Sequence, residues 1–176
     1  VDYGATVKAA SQDELAAAIA DGAAIVELGE GTFTIPNEAK GKEFTIIGSK
    51  DTVIDATASY GQKIAGADIT LIGVTVKGQS SGNYAGFTHI NSMSLNNCDV
   101  EGKITLYAET EFNNCTLTNM KDYNVWTWGG KKVAFNDCTF VTGGKALLVY
   151  GGASADCKHT DVTVSNCEFK SDASLA

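Results

Sequence analysis

The chain is 176 residues long, 44% hydrophobic and 19% charged, with 19 glycines and a single proline, Pro36. Such a length and composition give one domain with room for a buried core and exclude a disordered chain. A net charge of −8 argues against a nucleic-acid partner, whose phosphates call for a basic face, and no apolar run approaches the roughly 20 residues that would span a membrane.

The chain opens at Val1 without a methionine, which reads as a processed product or a piece of a longer protein. Ser11 followed by Glu14 forms a capping box, and DELAAAIADG carries Leu15 and Ile19 on one helical face before Gly22. Residues 1–22 are therefore expected to be an N-terminal cap containing a short α-helix. The segment AAIVELGEGTFTIP (23–36) starts the first coil of a β region that runs over residues 23–176, the whole chain being one domain.

From there one hexad recurs: LIGVTV (71–76), LNNCDV (95–100), FNNCTL (112–117), FNDCTF (135–140) and VSNCEF (164–169), with a weaker copy, IIGSKD (46–51). Its third position is Gly48, Gly73, Asn97, Asn114, Asp137 and Asn166, at intervals of 25, 24, 17, 23 and 29 residues. A hexad that survives while its spacing varies is the mark of a solenoid, whose loops lengthen without disturbing stacked strands. Each hexad reads as strand, corner, strand. Gly or Asn at the corner supplies the left-handed conformation that a tight bend needs. With coils about 4.8 Å apart, Asn97, Asn114, Asp137 and Asn166 should form a buried ladder of side chains, and Cys98, Cys115, Cys138 and Cys167 a neighbouring ladder of reduced thiols in the core. The fifth cysteine, Cys157, lies in the loop GGASADCKHTD and is expected to be exposed. No C-x-x-C spacing occurs, so neither a zinc site nor a redox motif is expected.

Between hexads lie YAGFTHI (84–90), KITLYA (103–108), NVWTWG (124–129) and KALLVYG (145–151). They alternate as half-buried strands do. Ile104, Leu106, Val125, Thr127, Leu147 and Val149 are expected inside; Thr105, Tyr107, Trp126, Trp128, Leu148 and Tyr150 outside. Three strands per coil make the fold class all-β, a single-stranded right-handed parallel β-helix with an N-terminal helical cap. The last segment, KSDASLA (170–176), provides no lid, so that end is expected to meet a partner or the rest of a longer chain.

The strings VELGEGTFTIP, FTIIGSKDTVIDA and the recurring F-N-N-C-T resemble the pectate-lyase-like right-handed β-helix superfamily over residues 5–170. The stretch DYNVWTWGGKKVAFNDCTF…GKALLVYGG is similar to non-catalytic β-helix segments of gut-bacterial surface proteins and phage structural proteins. The resemblance implies a fold that hosts lyases, hydrolases, tailspikes and adhesins alike. Lyases of that family use an arginine base, and all 13 cationic residues here are lysines. The hydrolase motifs N-T-D, D-D, G-H-G and R-I-K are absent from the sequence.

Two carboxylates about 5–9.5 Å apart would be the general requirement for glycoside hydrolysis. Asp99 with Glu101 and Glu168 are the best candidates, and they read more simply as a solvated acidic face. His89 and His159 have no nucleophile paired to them in any motif. No catalytic residue, metal ligand or cofactor is therefore expected. The candidate binding site is an outward aromatic row of Tyr107, Trp126, Trp128 and Tyr150, begun by Phe87 or His89. Exposed aromatic rows mark contact surfaces. The reading is a non-catalytic structural or attachment β-helix of a phage virion or bacterial surface protein, hence extracellular, binding a surface glycan or host-cell receptor. The alternatives are a spacer or oligomerisation module, in which the row is a homo-oligomer contact, and a fragment of a polysaccharide lyase or glycoside hydrolase.

Overall fold

The structure is a computed structural model that describes residues 6–82, 84–128, 132–151 and 161–171. It is a right-handed parallel β-solenoid built on three sheets. The first has eight strands: Thr6–Ala9, Ile25–Leu28, Glu43–Ile47, Asp68–Ile72, Ser92–Asn96, Glu109–Asn113, Lys132–Asn136 and Asp161–Ser165. The second has seven, running through Gly31–Phe33, Thr52–Asp55, Thr75–Lys77, Asp99–Glu101, Thr116–Asn119, Thr139–Thr142 and Glu168–Lys170. The third has five: Gln62–Lys63, Gly86–Thr88, Ile104–Leu106, Val125–Trp128 and Leu147–Tyr150. The strand Thr6–Ala9 already pairs with Ile25–Leu28, so the segment read as a cap also supplies the first rung.

Helix α1 spans Gln12–Ala20 and covers the start of the core with Leu15, Ala18 and Ile19. Ser11 accepts a hydrogen bond from the Glu14 amide at 3.2 Å. The Glu14 carboxylate reaches one residue further back than a capping box would, accepting from the Ala10 amide at 2.6 Å. Gly22, at φ +85°, turns the chain out of the helix.

Inside the prism, like stacks on like. Leu71, Leu95, Phe112 and Phe135 occupy one column, and Phe112 and Phe135 stack at 4.9 Å and 13°. Cys98, Cys115 and Cys138 are buried and free, with Cys167 half-buried at the last turn. At that turn core-facing positions are open: Val149 is 50%, Val164 43% and Phe169 52% exposed, although Phe169 still stacks on Phe140 at 4.7 Å.

The corner differs from expectation in three ways. Asn97, Asn114, Asp137 and Asn166 do take left-handed φ of 54°, 52°, 55° and 51°. Their side chains, however, lie exposed rather than buried, because in a left-handed bend between two inward strands the side chain projects outward. Asn114 donates to Asn97 at 2.6 Å and Asn166 to Asp137 at 2.5 Å. A second amide ladder runs beside it: Asn113 donates to Asn96 at 2.9 Å and Asn136 to Asn113 at 3.0 Å. Lastly, Gly73 is left-handed at φ +72°, whereas Gly48 is glycine for room: a Cβ there would stand 2.6 Å from the Thr52 Oγ1.

Candidate functional site

The third sheet carries the aromatic residues outward. Its register sets Trp128 beside Tyr150, and Thr105 beside Trp126. Continuing that register gives an outward column of Lys63, Thr88, Tyr107, Trp128 and Tyr150, flanked by a column that starts with Gly61 and Gly86. The two glycines pack closely against their neighbours, and Gly86 is buried. Neither can carry a side chain: a Cβ on Gly86 would lie 2.4 Å from the Thr105 carbonyl oxygen, and one on Gly61 2.5 Å from the Thr88 methyl.

Two tyrosines from outside the strands add to the aromatic row. Tyr84 lies against three rings, 5.8 Å from Tyr60, 5.1 Å from Trp126 and 6.1 Å from Trp128. Tyr60 is 68% exposed and holds a left-handed φ of 61°, a conformation that costs a non-glycine residue roughly 1–2 kcal/mol. The turn that carries it is pinned: Asp55 accepts from both the amide and the hydroxyl of Thr57, and Gln79 donates to the Thr57 carbonyl at 2.6 Å.

Tyr60, Tyr84, Tyr107 and Trp128 line an open cleft of about 270 Å³. That is close to the lower end of small-ligand pockets, about 300 Å³. Tyr107 donates its hydroxyl to the Tyr84 carbonyl at 2.7 Å. Burial pushes its phenol up to about 12, with the neighbouring Tyr84 adding to the effect.

Of the expected residues, Tyr107 and Trp128 thus reach the cleft. Tyr150 backs it, stacked on Trp128 at 4.9 Å and 9°, so one face of Trp128 is already covered. Trp126 is a supporting ring. The buried Lys103 ammonium lies 5.1 Å from its ring centroid and is held by Asp122 at 2.7 Å and the Gly82 carbonyl at 3.0 Å. Burial alone would raise the Asp122 carboxyl; the Lys103 hydrogen bond, the Tyr123 amide and the nearby lysine charges outweigh it and leave it below its ordinary value. Among the described residues the buried Trp126 indole N–H has no hydrogen-bond partner.

His89 sits at a bend with φ +62°, outside the cleft lining, and Phe87 points into the core at 2% exposure. Thr88 occupies the place that the row assigned to one of them. Thr105 is outward but covered, 1% exposed, because the aromatic layer lies over it. Val149 alternates as expected yet is open to solvent at the last turn. Cys157, His159 and nearly all of their loop lie outside the described residues.

The sequence reading missed Tyr60 and Tyr84. The signals were there: Tyr60 directly precedes Gly61, and Tyr84 opens the strand segment YAGFTHI. Strand alternation alone cannot place a ring that reaches the sheet from a turn.

Other surfaces offer less. A groove of about 730 Å³ crosses the first sheet between Ser92, Ser94, Glu109, Glu111 and Lys132 and is lined mainly by polar and charged side chains. Asp99 pairs with Lys50 at 3.3 Å and Glu168 with Lys170 at 3.3 Å. In the strand register Asp99 and Glu168 stand three rungs apart, about 14 Å at the usual strand spacing. Among the described residues, no group of three or more His, Cys, Asp and Glu is arranged to hold a metal ion. Comparison with protein-family profiles, curated proteins and solved structures finds no match to the chain.

Proposed function

We propose that this chain is a non-catalytic attachment module of the pectate-lyase-like β-helix type, carried by a virion or a bacterial surface protein, that holds one sugar ring of a glycan in the third-sheet cleft. The observation that carries the reading is the convergence of Tyr60, Tyr84, Tyr107 and Trp128 on a single open cleft. Flat apolar faces beside phenolic hydroxyls suit a pyranose, whose C–H face stacks on a ring while its hydroxyls reach outward. The volume suits one ring rather than a chain. The strained, exposed Tyr60 supports the same reading, since strain held in place by a pinned turn clusters at ligand clamps. Asp99 and Glu168, three rungs apart, lie beyond the about 9.5 Å that a pair of glycosidase carboxylates spans.

A glycan array and a cell-binding assay, run on the wild type and on Trp128→Ala side by side, test this. Wild type should bind a defined subset of glycans, and the variant should lose about tenfold or more in affinity, one stacked ring together with the cleft wall it forms. Equal binding by both proteins, or no glycan bound by either, overturns the reading. A second reading, a module that assembles end to end, draws on the exposed Val149, Val164 and Phe169; a Phe169→Ser variant that alters sedimentation of an otherwise oligomeric chain would favour it.

A further inference from the structure

The four thiols Cys98, Cys115, Cys138 and Cys167 are free and form one row whose rungs are built alike. Pairing of Asn96 with Asn113 and of Asp99 with Thr116 sets Cys98 beside Cys115. The next registers bring Cys138 beside Cys115 and Cys167 beside Cys138. Each sulfur also makes the same contact, with the carbonyl at the matching place one turn back: Leu71 at 3.4 Å, Leu95 at 3.3 Å, Phe112 at 3.5 Å and Phe135 at 3.4 Å. A repeated contact means a repeated side-chain orientation. Sulfur-to-sulfur spacing therefore follows the strand spacing, about 4.8 Å.

That spacing selects among thiol chemistries. A disulfide needs its sulfurs about 2.05 Å apart, so both side chains would have to abandon their carbonyl contacts. Tetrahedral zinc needs four converging ligands, and a parallel row does not converge. A two-coordinate cation asks for less: two metal–sulfur bonds laid in line, each near the roughly 2.3 Å of a zinc–thiolate bond, span about 4.6 Å, close to one rung. Soft monovalent copper is the cation that thiolates select, and silver(I) shares its chemistry.

We propose that the row is a binding track for a soft monovalent cation, copper(I) or silver(I), held in line between the sulfurs of Cys138 and Cys167. Binding releases two protons to solvent. Each thiolate donates a lone pair to the cation, no electron is transferred, and the S–M–S unit carries one negative charge. The cation enters at this pair because Cys167 is half-buried at the last turn, whereas Cys98 and Cys115 are 0% and 2% exposed. This site is independent of the glycan cleft, which lies on another sheet.

The test uses the full chain, reduced and kept anaerobic, in a Cys157→Ser background so that the fifth thiol takes no part. Copper(I) is offered as its bicinchoninate complex, and retention is read together with X-ray absorption at the copper edge. The expected result is one copper(I) per chain in a two-sulfur site, lost in Cys167→Ala and kept in Cys98→Ala, with zinc(II) not retained. Absence of bound copper, undiminished retention by a folded Cys167→Ala, or a shell of three or four sulfurs in the Cys157→Ser parent overturns the proposal. The coordination number is read on that parent, so it does not depend on how the ligand variants fold.

Discussion

Replacement of Asn114 separates two contributions that the corner combines. Asn114 holds φ at 52° and donates one exposed amide bond to Asn97 at 2.6 Å. Leucine in that left-handed conformation costs roughly 1–2 kcal/mol, and the lost exposed amide bond adds about 0.5 kcal/mol. Asn114→Leu should therefore destabilise by about 1.5–2.5 kcal/mol. Glycine loses the same amide bond but adopts left-handed φ freely, so Asn114→Gly should cost less than about 1 kcal/mol. The comparison residue is Asn113, which lies in an extended strand and makes two ladder bonds, to Asn96 at 2.9 Å and from Asn136 at 3.0 Å. Asn113→Ala carries no backbone strain and should cost about 1–2 kcal/mol through unpaired amides alone. Urea denaturation followed by circular dichroism reads all three, provided the slope of the transition is unchanged, since stacked repeats can lose cooperativity. Equal losses for Asn114→Leu and Asn114→Gly would refute the assignment of the corner's cost to backbone conformation.

Three further outcomes follow from buried groups. Cys98, Cys115 and Cys138, at 0%, 2% and 1% exposure, should react with a thiol reagent only on unfolding, after Cys167; rapid native-state reaction of all four would show the register to be wrong. The depressed Asp122 carboxyl contributes stability that is present above the unfolded carboxylate value of about 3.9 and lost as pH falls through its lower folded value. Asp122→Asn should therefore flatten the acid limb of the stability–pH curve, and an unchanged limb would remove the Lys103 pair from the account. Tyr107, raised to about 12, contributes stability fully present below the unfolded tyrosine value of about 10 and lost as pH rises towards its folded one. Ultraviolet titration should show one tyrosine ionising late, and Tyr107→Phe should remove that phase.

The solenoid was legible because its rules are local. Alternation at Ile104 and Leu106 or at Val125 and Thr127 declares an inward face, and the recurring corner residue declares the turn. The buried thiols of Cys98, Cys115 and Cys138 followed from the same register. What escaped depends on contacts distant in sequence. Gly48 looks like Gly73 in the hexad, yet its role is set by Thr52 crowding it from a longer corner. The amides of Asn96, Asn113 and Asn136 form a ladder beside the one foreseen, since each sits just before the corner residue. The candidate site was half visible: Tyr107 and Trp128 by alternation, Tyr60 and Tyr84 not, because each reaches the cleft from outside the strands.

The aromatic cleft is most directly tested by Tyr60→Ala, since Tyr60 is the wall that is exposed, strained and remote from the core. Intrinsic tryptophan fluorescence of wild type and variant should be titrated with the best array glycan, with thermal melts recorded alongside. The cleft account predicts quenching in the wild type and about tenfold weaker affinity in Tyr60→Ala, with a melting temperature close to the wild-type value, since alanine keeps the same left-handed strain and Tyr60 is exposed. Unchanged affinity in a folded Tyr60→Ala would contradict it.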